Sequence, residues 1–470
     1  MSSRVLVIGG GIIGLTTAFA LHRQGYEVVL LDKNKENGCG TSYANGGQLS
    51  YHYVAPLAAP GVPSKAFQWM FRKASPLKLT PRLDRQQWRW VMNFLRHCRA
   101  KTHHRHTLEL WTLATLSREV LHEWQHLLPL TSAGWQSSGK LVVYRHQDDL
   151  QHAWSGHLSD HQRLLTAEEC VELEPSLNDM AAKLAGAILT PGDEVIDTFL
   201  FCQVLTRYLH AQPNCRIVND CEVTGFLQQG NRVLGVSTLT DNQPGEWYAD
   251  ETVLAAGMDS YRLAGMLGLE LPLYGLKGYS LTLPIRGKCQ VPYTSVTDQD
   301  NKIVYARLKG APGEPDQLRI AAMVDMGDRE NTLNPRRIEA LKAKVKETFP
   351  GLEGVDEAQA WAGMRPATPS GKPIIGPCRK KGLWLNIGHG ALGLTLACGS
   401  ATLMCEQISG EKPRIDTRPW QLLKGGPKAP IPTTQPRPRK KPETTSEKEA
   451  PLYGKHATHH HDAATTKTPM

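Results

Sequence analysis

The sequence predicts an α/β protein that opens with a parallel β–α–β unit and continues into a region of mixed sheet and helices. Two observations carry this prediction. An apolar strand, a glycine-rich turn and an apolar helix follow one another over residues 4–24, and a second apolar strand follows at residues 27–31. Strand-like and turn-like segments then alternate over residues 186–325. At 470 residues the chain has room for two domains.

The glycine-rich turn lies in VLVIGGGIIG, residues 5–14, and fits the G-x-G-x-x-G pattern of Rossmann dinucleotide-binding units. Gly9 permits the tight turn, Gly11 lets the backbone approach a pyrophosphate, and Gly14 lets the helix pack closely on the sheet. The helix predicted over residues 12–24 directs its N-terminus at the phosphates. The residues predicted to line this turn are Val7, Ile8, Gly9, Gly10, Gly11, Ile12, Ile13 and Gly14.

Asp32 ends the second strand, 18 positions after Gly14, where a carboxylate accepts hydrogen bonds from the hydroxyls of an adenosine ribose. Its charge would repel a 2′-phosphate, so NADP is disfavoured. Lys33 is predicted to lie beside it at the cofactor. The motif by itself leaves both FAD and NAD open.

Later segments predict the other elements in chain order. Residues 33–64 are rich in Gly, Ser, Asn and Pro, which indicates a loop that could reach over a cofactor. The pattern of residues 65–128 predicts mainly helix, and that of residues 186–259 predicts one helix followed by a β-meander. Further strands are predicted over residues 272–325 and a helix over 335–349.

The formal net charge of +9 is concentrated at the end of the chain. From Lys424 onward, nine Lys and Arg stand against four Asp and Glu, and the composition predicts a disordered tail over residues 423–470. A nucleic-acid partner is therefore not expected. The ten cysteines lack C-x-x-C or zinc spacing, which favours free thiols in a reducing, cytoplasmic compartment and no metal site. Outside the glycine motif no run is expected to span a membrane.

Four separated segments, in order along residues 4–410, resemble the FAD-dependent D-amino-acid oxidase superfamily, most closely the small-subunit type of bacterial D-amino acid dehydrogenase. They are VLVIGGGIIG, GTSYANGGQLS, GYSLTLP, and GMRPATPSGKPIIG followed by NIGHGALGLTLACGS. The resemblance implies non-covalent FAD rather than NAD, bound by a domain of the glutathione-reductase type. It implies a discontinuous FAD domain, formed by residues 1–60, 190–265 and 355–422. It also implies an interleaved substrate domain of mixed sheet and helices, formed by residues 61–189 and 266–354.

The resemblance also assigns cofactor contacts to three further regions. Small residues of the GTSYANGGQLS loop pass against the pyrophosphate and flavin, where only small side chains permit a close approach. A turn after VLAAG contacts the nucleotide, and the helix that begins in GHGALGLT directs its positive end at the flavin. His389 is expected to line the site through its backbone and not as a base. The assigned residues are Thr41, Ser42, Ala44, Asn45, Gly46, Gly47, Gln48, Val223, Ala255, Ala256, Gly257, Gly388, His389, Gly390, Leu392, Gly393, Leu394 and Thr395.

For the substrate, the resemblance singles out Arg365 in the GMRP segment as the residue that binds an amino-acid carboxylate. A guanidinium matches a carboxylate in two parallel hydrogen bonds and stays charged at any working pH. Tyr279 either adds its hydroxyl to the same carboxylate or packs as an ordinary strand residue, and Tyr53 is a weaker candidate for the pocket. No catalytic acid or base is assigned, because the implied reaction is hydride transfer from a D-amino acid to the flavin, followed by hydrolysis to a 2-oxo acid and ammonia.

The resemblance further implies a quinone as electron acceptor, at the inner face of the cytoplasmic membrane. Aromatic and basic residues mix over residues 65–97, as membrane-surface segments do; alternatively the aromatics form the core of the substrate domain. The residues concerned are Trp69, Phe71, Trp88, Trp90 and Phe94, with Lys65, Arg72, Lys73, Lys78, Arg82, Arg85, Arg89 and Arg96. An oxidase of glycine, sarcosine or proline-type amines, or one subunit of a multi-chain dehydrogenase, remains an alternative. Leu57 and Leu394 stand where the dehydrogenases commonly have tryptophan, which leaves the preferred amino acid open.

Overall fold

The computed structural model describes residues 3–63, 75–286, 291–310, 313–328 and 330–422. The strands, numbered in chain order, are β1 (Arg4–Ile8), β2 (Glu27–Leu31), β3 (Gln48–Leu49), β4 (Leu77–Leu79), β5 (Lys140–Tyr144), β6 (Arg163–Leu165), β7 (Gly186–Thr190), β8 (Glu194–Val195), β9 (Cys215–Val218), β10 (Cys221–Gln229), β11 (Arg232–Thr240), β12 (Gln243–Tyr248), β13 (Glu251–Leu254), β14 (Tyr274–Pro284), β15 (Ser295–Asp298), β16 (Ile303–Leu308), β17 (Gln317–Met326), β18 (Gln359–Ala367), β19 (Ile374–Pro377) and β20 (Leu383–Ile387). The α-helices are α1 (Ile12–Arg23), α2 (Arg85–His97), α3 (Ala100–Trp124), α4 (Gln147–Ser155), α5 (Ala167–Leu173), α6 (Thr198–His210), α7 (Asp259–Met266), α8 (Pro335–Thr348) and α9 (Gly393–Ser409). Short 3₁₀ helices occupy Leu130–Ala133, Pro175–Lys183, Gly390–Leu392 and Arg418–Trp420.

The first sheet has six strands in the order β19-β20-β13-β1-β2-β9. β1 is parallel to β2 and β13, and β13 is parallel to β20, so the carboxyl ends of these four strands share one edge. Side chains of β1 alternate between two cores, with Val5 and Val7 on the side of α1 and α9, and Leu6 and Ile8 on the side of β10 and β11. The predicted β–α–β unit is confirmed.

The second sheet has nine strands, in the order β18-β14-β17-β16-β15-β5-β7-β6, with β4 beside β17. One face is apolar and packs against α5 and α8, with Leu141 and Tyr279 in its core. Successive side chains of a strand alternate between faces, and directly paired residues share a face. Lys140, Ser280 and Arg365 therefore lie on the opposite face, called the polar face below.

Helix α2 divides the aromatic residues that the sequence places in a membrane-surface segment. Trp90 is buried, stacks on Phe94 with ring centroids 5.2 Å apart, and donates from Nε1 to Ala367 O at 2.9 Å. These two aromatics pack in the core of the second sheet, so for them the alternative of a core role holds and the membrane-surface interpretation is wrong. Trp88 is 46% exposed on the other side of the helix. Residues 64–74, which contain the other aromatics of the predicted segment, lie outside the described residues.

Residues 390–409 form a helical segment that is long and apolar enough to cross a membrane, contrary to the expectation for this chain. In its most apolar stretch, 67% of the residues are buried in protein. The helix packs between α1 and α3, and a Cβ added at Gly399 would lie 2.8 Å from Leu113 O. Its apolarity is therefore that of a core helix.

Strand β18 falls within residues 355–422, which the sequence assigns to the FAD domain, yet it pairs with β14 of the second sheet. β19 and β20, from the same segment, belong to the first sheet. The described residues up to 422 fall in one contact unit, and the domain boundaries stay a prediction. The predicted tail lies outside the described residues.

Candidate active site

The glycine turn after β1 is shaped by its backbone. Gly9 has φ +112°, a conformation that residues with side chains rarely adopt, and its N–H donates to Leu31 O at 2.8 Å. A Cβ added at Gly14 would lie 1.8 Å from Gly9 O, so α1 approaches the turn closely. These two glycines set the N-terminus of α1 at the carboxyl edge of the first sheet.

The N-terminus of α1 presents backbone donors, and the helix has no acidic side chain in its own first turn. Gly11 at the N-cap has no side-chain acceptor. Ser42 Oγ accepts a hydrogen bond from Ile12 N at 3.1 Å. Free N–H groups and the positive end of a helix bind anions, so these residues fit the pyrophosphate of FAD.

Asp32 closes the same turn from the end of β2. Its Oδ2 accepts a hydrogen bond from Gly10 N, and its Oδ1 accepts from Asn34 N and Nδ2 at 2.7 and 2.8 Å. The side chain is buried, and this burial raises its pKa against the opposing effect of the hydrogen bonds. Asp32 thus holds the glycine turn in place, and its contact with a ribose stays a prediction.

The turns after β13 and β20 lie at the same edge. Ala255 N donates to Ile8 O at 2.9 Å, and a Cβ added at Gly9 would lie 2.6 Å from Ala255 O. After β20, Gly388 and Gly390 have positive φ and lead into α9, whose first turn contains no acidic residue. Segments far apart in the sequence therefore meet at the carboxyl edge of one parallel sheet, where α/β proteins bind nucleotides.

Three residues predicted at the cofactor have protein partners of their own. Val223 is buried in the core between the first sheet and β11. Lys33 forms an ion pair with Asp259 at 2.6 Å. His389 Nε2 shares a hydrogen bond with Ser400 Oγ at 3.0 Å, and burial lowers the pKa of its ring to about 3. The His389 ring is therefore neutral and already engaged at neutral pH.

Residues 41–53, the cofactor loop, run from the N-terminus of α1 across the polar face of the second sheet. Ser280 Oγ donates to Ala44 O at 2.7 Å, and Arg319 Nη1 donates to Asn45 O at 2.8 Å. The loop is therefore fixed to the sheet through its own backbone.

Other positions of the cofactor loop are tightly held as well. Thr41 Oγ1 donates to Met364 O at 2.7 Å, and Gly47 N donates to Asn45 Oδ1 at 2.9 Å. A Cβ added at Gly46 would already touch side chains of the sheet at 3.5 Å. The loop therefore lies close against the sheet, and its predicted approach to the pyrophosphate and flavin stays a prediction.

Gln48 and Ser50 join the cofactor loop to α9 and to β5. Thr395 Oγ1, in the first turn of α9, donates to Gln48 O and accepts from Ser50 N, both at 3.3 Å. Lys140 Nζ donates to Gln48 Oε1 and to Ser50 Oγ, both at 2.8 Å. The loop and the helix start, both predicted at the flavin, are thus in direct contact.

Arg365 lies on the polar face, flat over the backbone of β14. A Cβ added at Gly278 would lie 2.3 Å from Arg365 Cζ, so only glycine leaves room there. Arg365 Nη1 donates to Met323 O at 2.9 Å, at a bulge of β17 where Met323 has φ +66°. Burial lowers the pKa of Arg365 to about 10, so the guanidinium is charged at neutral pH. Within the described part of the chain, no carboxylate forms a salt bridge with it.

Tyr279 lies on the opposite face of the sheet and does not reach Arg365. Along β14, Gly278 lies under Arg365 and the next residue, Tyr279, is in the apolar core. The Tyr279 hydroxyl donates to Asp325 Oδ2 at 3.0 Å, and Asp325 Oδ1 lies 2.7 Å from Arg337 Nη2. The prediction that Tyr279 binds the substrate carboxylate is therefore wrong, because the sheet separates Tyr279 from Arg365. The alternative, a packed strand tyrosine, holds.

Tyr53 lies at the other side of the polar face. Its hydroxyl donates to Gln299, the residue after β15, and its ring centroid is 4.5 Å from Lys140 Nζ. Three strands lie between β15 and β18, and four inter-strand steps of ~4.8 Å amount to about 19 Å. Tyr53 is therefore not brought next to Arg365, and its role in a pocket stays a prediction.

Trp361 is a residue of the polar face that the sequence did not single out. A Cβ added at Gly363 would lie 2.1 Å from Trp361 Cη2, so the indole covers that glycine. Gly363 pairs directly with Gly278, which lies under the Arg365 guanidinium. The indole and the guanidinium thus share a floor of two paired glycines. The glycines of GYS and WAGMR were visible in the sequence, but only the strand register shows that they are paired.

Comparison with known proteins places the chain among flavoenzymes. Residues 4–407 match the family described as FAD dependent oxidoreductase. The chain is 47% identical to D-amino acid dehydrogenase 2 of Pseudomonas aeruginosa over 421 residues, which cover 89% of this chain and 97% of that protein. It is 40% identical to D-amino acid dehydrogenase 2 of Ralstonia nicotianae over 434 residues, covering 90% and 100%.

Solved structures with low sequence identity share the fold. Glycine oxidase from Geobacillus kaustophilus has a TM-score of 0.68 at 20% identity, covering 91% of this chain and 100% of that one. L-proline dehydrogenase from P. horikoshii has a TM-score of 0.63 at 16% identity, covering 89% and 96%. The α/β fold class and FAD as the cofactor are confirmed, and the chain belongs to the FAD dependent oxidoreductase family.

Proposed function

We propose that this FAD dependent oxidoreductase oxidises D-amino acids to 2-oxo acids and ammonia and passes the electrons to a quinone. The observation that carries the proposal is Arg365, a charged guanidinium on the polar face that forms no salt bridge with a carboxylate of the described residues, although Asp325 acts on it at longer range. A half-buried guanidinium without a salt bridge favours an anionic ligand, and the carboxylate of an amino acid matches its two-point geometry. The names of the relatives at 47% and 40% identity support the choice of D-amino acids.

In this proposal the side chains bind and orient, and the cofactor supplies the redox chemistry. Arg365 holds the substrate carboxylate, while the Met323 carbonyl and the bare backbone of Gly278 fix the direction of the guanidinium. Trp361, on the same glycine floor, contacts the remainder of the substrate. FAD, when bound, would supply the hydride acceptor for oxidation of the substrate at Cα. Holding the reacting atoms in place supplies a large part of the rate.

The proposed quinone acceptor rests on the exposed side of α2. Trp88, Met92 and Leu95 are 46%, 53% and 41% exposed, and their spacing of four and three residues aligns them in one stripe. Arg85 and Arg96 are exposed at the two ends of this stripe. An apolar stripe flanked by arginines suits the surface of an anionic membrane, and quinones dissolve in the membrane. We therefore place the protein in the cytoplasm, in contact with the inner face of the membrane.

Helix α2 also contacts the strand that carries Arg365. Trp90 packs with Leu276, the residue paired with Arg365 across β14 and β18, and its Nε1 donates to Ala367 O. The membrane contact and the substrate site thus share one helix–strand interface, which supports a short path between substrate oxidation and a membrane acceptor.

Anaerobic reduction of the bound FAD tests the proposed reaction. D-alanine and other D-amino acids should bleach the flavin absorbance, and the L-enantiomers should not. A soluble quinone should then reoxidise the protein much faster than air. Bleaching by glycine or sarcosine alone, with peroxide formed under air, would establish the oxidase alternative. No bleaching by any amine would establish a protein that needs further subunits.

Binding to phosphatidylcholine vesicles with and without phosphatidylglycerol tests the membrane contact. Replacement of Trp88, Met92 and Leu95 together by serine should abolish binding to the anionic vesicles. The matched control replaces Leu127 and Leu173, which are 43% and 45% exposed, by serine and should bind like the original protein. Equal binding by both variants would rule out this surface as the membrane contact.

A further inference from the structure

We propose that Lys140 is a positioning residue of this enzyme, whose ammonium fixes the cofactor loop to the second sheet and whose buried charge raises the reduction potential of bound FAD. The proposal rests on the assignment of the cofactor loop to FAD. It concerns a residue that the proposed binding of substrate does not use.

Lys140 is a buried cation held by neutral groups. Its side chain is 2% exposed, and Nζ donates to Gln48 Oε1 and Ser50 Oγ, both at 2.8 Å. Nζ also lies 4.5 Å from the centroid of the Tyr53 ring, within the range of a cation–π contact. Within the described residues no carboxylate forms a salt bridge with Lys140, although buried lysines are usually paired. The carboxylate that acts on its charge, Asp193, does so without a salt bridge.

All three contacts of this ammonium belong to the cofactor loop. Gln48 is held on both sides, because its Nε2 donates to Ser295 on β15 while its backbone oxygen accepts from Thr395 in α9. Ser50 likewise contacts Lys140 through Oγ and Thr395 through its backbone N–H. Lys140 thus fixes the two loop residues that contact the start of α9, the helix predicted to face the flavin.

The charge of Lys140 depends on pH in the range where enzymes work. Burial lowers its pKa to about 8, while attraction to Asp193 acts in the opposite direction. Asp193 is itself buried, and its Oδ1 accepts hydrogen bonds from Tyr51 N at 3.1 Å and lies 3.3 Å from His52 Nδ1. Asp193 and Tyr53 are therefore titratable groups near the ammonium. Lys140 is therefore charged at neutral pH and loses its charge above about pH 8.

A positive charge in a dry interior stabilises negative charge that arrives nearby. Reduction adds electrons to the cofactor, so protonated Lys140 favours the reduced form and neutral Lys140 does not. The potential should therefore fall more steeply with pH above about 8 than below it. In this proposal Lys140 changes the reduction potential without contacting the substrate. It is therefore a positioning residue and not a catalytic one.

The test compares Lys140→Met with Lys277→Met in the FAD-loaded protein. Lys277 is also 2% exposed and lies in the same sheet, but on the other face, where it pairs with Asp328 at 3.4 Å. Lys140→Met should lower the equilibrium constant for FAD reduction about tenfold near neutral pH, which is about 30 mV for a two-electron couple. The difference should vanish at about pH 10, near the ordinary pKa of lysine. Lys277→Met should leave the potential and its pH dependence unchanged.

Equal potentials for Lys140→Met and the original protein, or equal shifts in the two variants, would overturn the proposal. If Lys140→Met fails to retain FAD, Lys140→Arg decides, since a permanent charge should keep the high potential and remove the steeper slope above about pH 8. Dithionite reduces the flavin in these titrations without an amino acid. A protein that D-amino acids do not reduce would therefore contradict the proposed function and still give a result for Lys140.

Discussion

The carboxyl edge of the first sheet and the polar face of the second are built in different ways. At the edge, the structure relies on backbone: the conformation of Gly9, the closeness of Gly14 to its carbonyl, and the N-terminus of α1. On the polar face it relies on side chains, such as Arg365 and Lys140, that come from strands far apart in the sheet. A site made of backbone appears in the sequence as contiguous glycines, whereas a site made of side chains appears only once the strands are paired.

The two regions should also respond differently to substitution. An added side chain at the edge collides with backbone that cannot move aside, so the effect should be abrupt. Replacement of a side chain on the polar face removes one interaction and leaves the fold in place, so the effect should be graded. Three substitutions test this difference.

Gly14→Ala should have the largest effect, because the new Cβ would lie 1.8 Å from Gly9 O. The helix must shift away from the turn, at a cost of about 3 kcal/mol or more. FAD binding should weaken by at least ~100-fold, measured by flavin titration of the apoprotein. Gly351→Ala is the control, because nothing lies within 4 Å of its added Cβ. Normal FAD content in Gly14→Ala would contradict the interpretation that the backbone forms the carboxyl edge of the first sheet.

Arg365→Leu should lower kcat/KM for D-amino acids by roughly 100-fold, about 3 kcal/mol, through the loss of charge-assisted hydrogen bonds to the substrate carboxylate. Most of this loss should appear in KM, and FAD content should be unchanged. Steady-state kinetics with a quinone acceptor measures both. Loss of FAD together with an unchanged KM would contradict this assignment, because Arg365 would then serve to bind the cofactor and not the substrate.

Tyr279→Phe should have the smallest effect. It removes the hydrogen bond to the buried Asp325 and should lower the free energy of unfolding by about 1 kcal/mol, measured by urea denaturation. KM should not change, because Tyr279 and Arg365 lie on opposite faces of β14. A tenfold rise in KM at unchanged stability would show that the hydroxyl does reach the substrate.

Much of the carboxyl edge of the first sheet could be predicted, because each of its parts is a continuous segment of the sequence. The G-x-G-x-x-G turn, the acid after β2 and the helix at Gly393–Ser409 each occupy one continuous segment. The helix predicted over residues 335–349 is likewise found at Pro335–Thr348. Arg365 was reached only through the resemblance of its GMRP segment, since spacing alone does not indicate where an arginine points.

The polar face was harder to predict because it depends on register. A shift of one residue transfers a strand side chain to the other face, so GYSLTLP gave no means of placing Tyr279. Trp361 and Lys140 come from β18 and β5, which are not neighbours in the sheet, and no local pattern joins them. The composition of α9 is apolar enough for a membrane span, which could have been recognised in the sequence. Only the packing of α9 shows that it is a core helix.

The contact between α1 and α9 joins the two ends of the folded chain and has a consequence for synthesis. β1 is flanked by β2, which is made early, and by β13, which is made much later and itself pairs with β20. At ~5–20 residues per second, roughly 20–80 s separate the emergence of β2 from that of α9. During that interval the nascent chain carries its nucleotide fingerprint without the strands and helix that complete the sheet. We therefore expect FAD, which is predicted to bind at this edge, to load only after nearly the whole chain has been translated.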